Sequence, residues 1–178
     1  MNTHQLTESK NMFQQITLSQ LEPGLKKFLT AFIVLILAGT TSGILYLHAK
    51  TSLSPTGTTS HLRGDEVDHT VSEFDIPASY PKSAENLLLT THNHFLGFAF
   101  LFLLLGGIFY FNSVINGRLK FFIMVEPFIS VFLTFSSIWA IRYISPSFTW
   151  IIIPAAIMTY ASVYLISAVI LYDLLWRK

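Results

Sequence analysis

Hydrophobic residues fall into four long runs that are separated by polar segments. The first run, residues 28–48, contains no Asp, Glu, Lys or Arg. About twenty helical residues, rising about 1.5 Å each, cover the roughly 30 Å of hydrocarbon in a bilayer. The later runs occupy residues 87–111, 121–141 and 148–172. Each run is long enough for a transmembrane helix, so the pattern predicts four spans.

The polar connections predict how the spans are arranged. Residues 112–120 and 142–147 are short links, which favours sequential antiparallel packing of spans two, three and four. We therefore predict an all-α integral membrane four-helix up-down bundle with one long outer loop. That loop, residues 49–86, opens with TSLSPTGTTS and closes with IPASYPKS. We expect both stretches to be unsuited to regular helix because they are rich in turn-forming residues.

Basic residues predict the direction of the spans. Seven Lys and Arg lie in the segments on the N-terminal side of the membrane and four on the other side. Because an excess of Lys and Arg marks cytoplasmic segments, both termini are predicted to be cytoplasmic. Residues 1–27 are then a cytoplasmic arm, residues 49–86 a periplasmic loop and residues 173–178 a cytoplasmic tail. The predicted location is the bacterial inner membrane, crossed several times.

Composition narrows the possible functions. At 52% hydrophobic and 12% charged residues, the 178-residue chain is too apolar for an ordinary soluble domain. A net charge of +1 with dispersed basic residues argues against nucleic-acid binding. The absence of cysteine excludes disulfide exchange, thiolate zinc sites, Cys-ligated iron–sulfur clusters and thioether-attached haem. Enzyme motifs are absent, which leaves activity open but favours a protein that is not catalytic by itself.

Histidines gather on the predicted outer side. Five of the six are placed there: His48 at the end of span one, His61 and His69 in the loop, and His92 and His94 at the start of span two. Imidazole nitrogens bind haem iron, copper and zinc. The pattern therefore predicts a cofactor site at the outer ends of spans one and two.

Helix geometry selects among these histidines. His92 and His94 are separated by about 200° around a helix, so only one can face a given neighbour. His92 shares a face with the small residues Ala99 and Gly106, where another helix can approach closely. We therefore expect His92, rather than His94, to face inward.

The resulting hypothesis is a single b-type haem between the outer ends of spans one and two. His48 follows the small and polar stretch at residues 39–43, which favours close helix packing. His48 and His92 are the predicted ligands of the haem iron. The other predicted site residues are the substitute ligands His94 and His61 and the propionate partners Arg63 and Arg142.

Two alternatives remain open. Histidines near a membrane surface often anchor a helix end or bond to a loop carbonyl, and the protein would then be a structural accessory subunit without a cofactor. The other alternative is an outer-face copper or zinc site that uses His61, His69, His92 and His94. The acid-rich residues 65–69 are either part of a divalent metal site or a solvated loop.

Two acidic residues lie near predicted span ends. Glu126 is placed near the N-terminus of span three, where two interpretations are open: a proton-carrying carboxylate, and a carboxylate that the helix dipole favours and that headgroup water reaches. The second is the expected one. Pro127 beside it is expected in the first turns, where proline is tolerated. Asp173 is expected to pair with Arg177, four residues further on.

Two segments carry a resemblance to a known group of proteins: SHLRGDE and PKSAENLLLTTHNHFLG. They resemble a poorly characterised group of small bacterial four-span membrane proteins with a His-x-Arg-Gly loop element, a Pro-Lys-Ser element and a Thr-His-x-His helix start. The matching positions are His61, Arg63, Gly64, Pro81, Lys82, Ser83, His92 and His94. The resemblance implies an association with cytochrome-containing respiratory systems. We therefore expect a membrane subunit of a respiratory or electron-transfer complex, in contact with other subunits and the lipid bilayer.

Overall fold

A computed structural model describes residues 17–64 and 80–177 of the chain. Over these residues the secondary structure is helical, without a β-strand. The α-helices are α1 (Pro23–Thr51), α2 (Pro55–Arg63), α3 (Ala84–Tyr110), α4 (Gly117–Tyr143) and α5 (Thr149–Leu175). All except α2 are long and apolar enough to cross a membrane. The prediction of an all-α membrane bundle with four spans is therefore confirmed.

Helices α4 and α5 form the centre of the bundle. They pack on each other over most of their length, α3 packs against both, and α1 packs against α5. Over the described residues, α1 and α3 are not among the closely packed helix pairs. Inside a bilayer, such contacts are held by close van der Waals packing and interhelical hydrogen bonds, because lipid tails are as apolar as the side chains.

Buried apolar side chains from all four spans form the main core. Its buried members include Ile33 of α1, Phe102 and Leu105 of α3, Phe135 of α4 and Ile166 of α5. A smaller cluster lies at one end of the bundle and joins α2 to the spans. It contains Leu62, Leu87, Ile141 and Ile152.

The two ends of the described chain lie at the same end of the bundle, called here the terminal end. The backbone N–H of Leu18 donates to the carbonyl of Phe111 at 3.1 Å. The guanidinium of Arg177 donates to the carbonyl of Ser113 at 2.7 Å. The opposite end, which carries α2, is called the loop end. An even number of spans requires both ends of the chain to lie at the same end of the bundle.

Helix α2 was not predicted from the sequence. It begins after Ser54, whose hydroxyl accepts a hydrogen bond from the N–H of Gly57 at 3.0 Å, and Pro55 occupies its first position. Serine before proline is a favourable helix start, because the hydroxyl caps a free N–H and proline needs no partner there. The expectation that TSLSPTGTTS is unsuited to regular helix was therefore wrong.

Glu126 and Pro127 lie well inside α4 rather than in its first turns. Helix α4 begins at Gly117, about one turn before the predicted start of the span. Glu126 is buried and hydrogen-bonded to Ser130 and Ser162, so the expectation that its carboxyl reaches headgroup water was wrong. Proline in a membrane helix is tolerated where neighbouring helices cover the interrupted backbone.

Asp173 is held by the connection between α3 and α4, not by Arg177. Its two carboxyl oxygens accept the backbone N–H of Ser113 at 2.8 Å and the Ser113 hydroxyl at 2.7 Å. Arg177 instead donates to the carbonyl of Ser113. The predicted pairing was therefore wrong, because a fully buried carboxyl needs close donors and Ser113 supplies two of them.

Candidate functional site at the loop end

The loop end is built on α2, which lies against α1, α4 and α5. Leu62 is the buried side chain of this short helix, and it packs with apolar residues of α3, α4 and α5. Burial of Leu62 on one face leaves the rest of the helix to interact with polar groups at the ends of the spans. The helix therefore places His61 and Arg63 next to the loop ends of the spans.

The two sequence segments that carry the resemblance are in direct contact. The N–H of Lys82 donates to the carbonyl of Leu62 at 3.1 Å. Gly64 ends α2 with φ at +81°, and a Cβ atom at this position would lie 2.7 Å from Cδ of Pro81. Both the conformation and the space therefore require glycine. The His-x-Arg-Gly and Pro-Lys-Ser elements form one structural unit.

Arg63 and Arg142 tie this unit to the bundle. The Arg63 guanidinium donates to the carbonyl of Ile141 at 3.2 Å. Nε of Arg142 donates to the carbonyl of Lys82 at 2.9 Å. The carbonyl of Ile141 is in the last turn of α4, where carbonyls lack intrahelical partners, and that of Lys82 lies just before α3. The two bonds satisfy these carbonyls and fix the connection before α3. The role of either arginine as a propionate partner stays a prediction.

His61 lies in a positively charged environment. It is half-buried, and burial lowers its pKa from 6.5, with smaller contributions from the charges of Lys82 and Lys50. These causes all disfavour the protonated imidazole. A neutral imidazole keeps one nitrogen lone pair, so His61 has the chemistry of a metal or haem ligand.

His94, not His92, faces the bundle. The Nδ1 atom of His94 lies 2.8 Å from the carbonyl oxygen of Thr90, and its ring centroid lies 5.3 Å from that of Phe135 on α4. Both His92 and His94 are exposed side chains, and His94 is the one whose ring contacts α4. The expectation that His92 rather than His94 faces inward was wrong, because His92 is exposed and the ring of His94 is the one in contact with α4.

The structure does not bring His48 and His92 together in a close helix interface. His48 is an exposed residue near the end of α1, and α1 packs on α5 rather than closely on α3. The described part of the bundle has two apolar grooves between α3 and α4, of about 300 and 340 Å³, and no histidine lines either of them. The haem between α1 and α3 with His48 and His92 as its ligands stays a prediction.

A metal cluster is not seen among residues 17–64 and 80–177. No group of three or more His, Asp or Glu side chains there is arranged to hold a metal ion. His69 and the acid-rich residues 65–69 lie outside the described residues. The copper or zinc alternative with His61, His69, His92 and His94 therefore stays a prediction.

Sequence reasoning missed the backbone roles of the loop-end residues. Arg63 and Arg142 were proposed only for a cofactor, whereas each of them binds a carbonyl of the chain itself. Gly64 was a sequence signal for the end of α2, because a glycine after a basic residue is typical of a helix end. The partner of Gly64, Pro81, could not be found from spacing, because residues 65–80 separate the two.

The contact between Gly64 and Pro81 generates the first prediction. Gly64→Ala is expected to lower the free energy of unfolding by more than about 1 kcal/mol, because alanine is strained at positive φ and its Cβ meets the proline ring. Thermal unfolding in mild detergent measures this change. Gly97→Ala is the matched control, because a Cβ at Gly97 would meet no atom within 4 Å. Equal melting temperatures for the two variants would contradict the prediction.

The environment of His61 generates a prediction about pH. Its pKa is lowered in the folded protein, so the unfolded chain binds a proton more readily, and stability is lost as the pH falls below 6.5. His61→Gln is expected to reduce this loss, as measured by amide hydrogen exchange of α2 across a pH series. Lys50→Gln should reduce it in part. Identical pH dependence in the wild type and His61→Gln would rule out the assigned role.

Comparison with known proteins gives one match. A family model described as a transmembrane helical domain, Aq_1264_TM, matches residues 52–178. No curated protein and no solved structure matches the chain. The matched residues contain α2, the loop-end unit and the three following spans, which is more than half of the chain. The protein therefore belongs to the Aq_1264_TM family of transmembrane helical domains.

Proposed function

We propose that this protein is a non-catalytic membrane subunit of a bacterial respiratory or electron-transfer complex, and that it binds a partner helix through uncovered faces of α1 and α3. Its identity as a membrane helical protein rests on the family match and the four spans. The respiratory assignment rests on the resemblance carried by the loop-end elements. The proposal of a partner helix rests on the small and polar residues of α1 and α3 that the bundle leaves uncovered.

One face of helix α1 contacts α5, and the opposite face is free for close packing. Thr41 shares a hydrogen bond of 2.7 Å with the Tyr164 hydroxyl on α5. On the other side, Gly39 and Gly43 are four residues apart, and a Cβ at either would meet no atom within 4 Å. Small residues at this spacing let two membrane helices approach closely. This face of α1 supports a partner helix rather than lipid alone.

The extent of burial agrees with a partner at α1. In the most apolar stretch of α1, 6% of the residues are buried, whereas 39% are buried in the corresponding stretch of α4. A helix that makes few contacts within its own bundle is held mainly by the lipid, unless another subunit covers it. The small residues on its outward face favour the second arrangement.

The exposed side of α3 supports the same conclusion. His92 lies about 12 Å along the helix from Ala84, inside the apolar span, and its side chain is exposed. Ionisable groups in a span are costly against lipid and usually face protein or a water-filled cavity. A partner that covers this side of α3 removes His92 from lipid.

A b-type haem is the proposed cofactor at this side of α3, where it would supply one-electron transfer. His92 is the proposed ligand from this chain. Because α1 packs on α5, we propose that the second ligand comes from the partner instead of His48. The excess of basic residues at the terminal end supports a cytoplasmic position for that end, with the loop end in the periplasm.

A cofactor-free accessory subunit is the second candidate. The position of His94 favours it, because one imidazole nitrogen is used by the Thr90 carbonyl and the ring packs against Phe98 and Phe135. These are the contacts of an anchoring residue. The structural role and the cofactor role differ in their spectra, so they can be separated.

Disrupting the small-residue face tests the partner. Gly39→Ile combined with Gly43→Ile is expected to reduce the co-purified partner by about tenfold or more, because loss of close packing costs at least about 1.4 kcal/mol. The tagged protein is isolated from its own membrane in mild detergent and the partner is quantified by mass spectrometry. Leu45→Ile is the control, because Leu45 is exposed and lies more than 100° around the helix from both glycines. Undiminished recovery of the partner would contradict this interface.

The same purified complex tests the cofactor. A reduced-minus-oxidised visible spectrum is expected to show a b-type haem, and His92→Ala is expected to remove its signal because a ligand to the iron is lost. His94→Ala and His48→Ala are the comparison variants and should keep most of the signal. A complex without haem would favour the accessory subunit. Loss of the signal in His48→Ala but not in His92→Ala would reverse the ligand assignment.

A further inference from the structure

A carboxyl group lies in the interior of the bundle between α4 and α5. The side chain of Glu126 is 7% exposed. Its Oε2 accepts a hydrogen bond from the hydroxyl of Ser162 on α5 at 2.6 Å, and its Oε1 is bonded to the hydroxyl of Ser130. Both carboxyl oxygens are therefore used by hydroxyl groups, which come from two different spans.

This carboxyl is far from both ends of the spans. Ser162 stands at the midpoint of α5, which runs from Thr149 to Leu175. Glu126 lies about 13 Å along α4 from Gly117. A position at this depth is within the hydrocarbon layer, where a charge on an unpaired group is costly.

No described cation is bonded to Glu126. On its own helix, the Lys120 amine donates to the carbonyls of Tyr110 and Asn112, at 2.9 and 2.8 Å. Arg142, at the other end of α4, donates to the carbonyl of Lys82. Lys120 and Arg142 are thus committed to backbone oxygens. Arg118, the other basic residue of α4, is exposed and lies eight residues, or about 12 Å along the helix, from Glu126.

The neighbouring helices also place no basic side chain against this carboxyl in the described structure. The titratable groups of α3 are Glu85, His92, His94 and Tyr110, and those of α5 are Tyr160, Tyr164, Tyr172 and Asp173. The ring of His94 packs against Phe135, more than two helical turns from Glu126. Asp173 is bound to Ser113 at the terminal end.

We propose that Glu126 is a proton-binding site in the membrane interior. An unpaired carboxylate in a low-dielectric environment is strongly disfavoured, and such a group is normally neutralised by a proton. Each serine hydroxyl can either donate or accept a hydrogen bond. The same two contacts therefore suit a carboxylic acid, in which one serine donates to the carbonyl oxygen and the other accepts from the O–H.

Asp173 provides the contrasting case within the same chain. One of its donors is the backbone N–H of Ser113, which can only donate. The guanidinium of Arg177 donates to the carbonyl of the same serine. The hydroxyl contact of Asp173 suits either form of the carboxyl group, so the contrast with Glu126 lies in the backbone donor and in the guanidinium one helical turn away. The surroundings of Glu126 contain neither a backbone donor nor a cation among the bonds of the described residues.

The proton also joins two spans. With it, the carboxyl group links Ser130 of α4 to Ser162 of α5 without a net charge. Its removal leaves a negative charge between two helices and weakens their contact, unless water or a cation enters. Two carboxyl oxygens and two hydroxyls are fewer than the six or more oxygen ligands that Mg²⁺ and Ca²⁺ take, so a proton fits the site better than a divalent ion.

Infrared spectroscopy of the full chain in lipid nanodiscs tests the proposal. The wild type at neutral pH is expected to show the carbonyl stretching band of a protonated carboxyl group. Glu126→Gln should remove the band, whereas Asp173→Asn should keep it. Ser162→Ala should shift the band to higher frequency, because it removes one hydrogen bond to the carboxyl group.

Several results would overturn the proposal. The wild type without the band would have an ionised Glu126, and a band retained in Glu126→Gln would belong to another residue. A band that disappears when choline chloride is replaced by sodium chloride would identify a monovalent cation site instead. If Glu126→Gln does not fold, an unshifted band in Ser162→Ala would overturn the assignment.

Discussion

A hydrocarbon interior has no water to accept or donate hydrogen bonds, so every polar group in a span needs a partner within the protein. Several hydroxyls of this bundle follow that constraint, whereas the buried hydroxyl of Ser167 has no hydrogen-bond partner among the described residues. Thr30, Thr134 and Thr159 bond to the carbonyl four residues earlier in their own helices. The Thr41 hydroxyl bonds to the carbonyl of Leu37 in the same way and also to the Tyr164 hydroxyl on α5, which marks a helix contact that apolar packing alone would not specify.

The same requirement accounts for the loop end. Helices that end near the membrane surface have carbonyls without intrahelical partners. Two of the carbonyls in this region are bonded by arginine side chains, and a third, that of Leu62, accepts the N–H of Lys82. The conformational requirement at Gly64 belongs to this arrangement, because only a close approach of α2 to the segment before α3 allows these bonds to form. The basic residues at the loop end stabilise the backbone in addition to carrying charge.

The sequence predicted the number of spans, which the bilayer thickness dictates. It missed the features that depend on contacts between helices. Four spans follow from apolar length alone. Helix α2 was missed because Ser54 and Pro55 are typical of both turns and helix starts. The separation of the two histidines around α3 was predictable, but which of them meets α4 depends on where Phe135 lies. A span start that was one turn too late placed Glu126 near water, when it in fact lies between two helices.

The family match begins at residue 52, immediately after α1 ends in the left-handed conformation of Ser52. The matched part therefore contains three crossings, and an odd number puts its two ends on opposite sides of the membrane. Adding α1 makes the number even and moves the start of the chain to the side of its C-terminus. The loop-end unit stays on the same side of the membrane with or without α1. Helix α1 alone therefore determines on which side the chain before it lies.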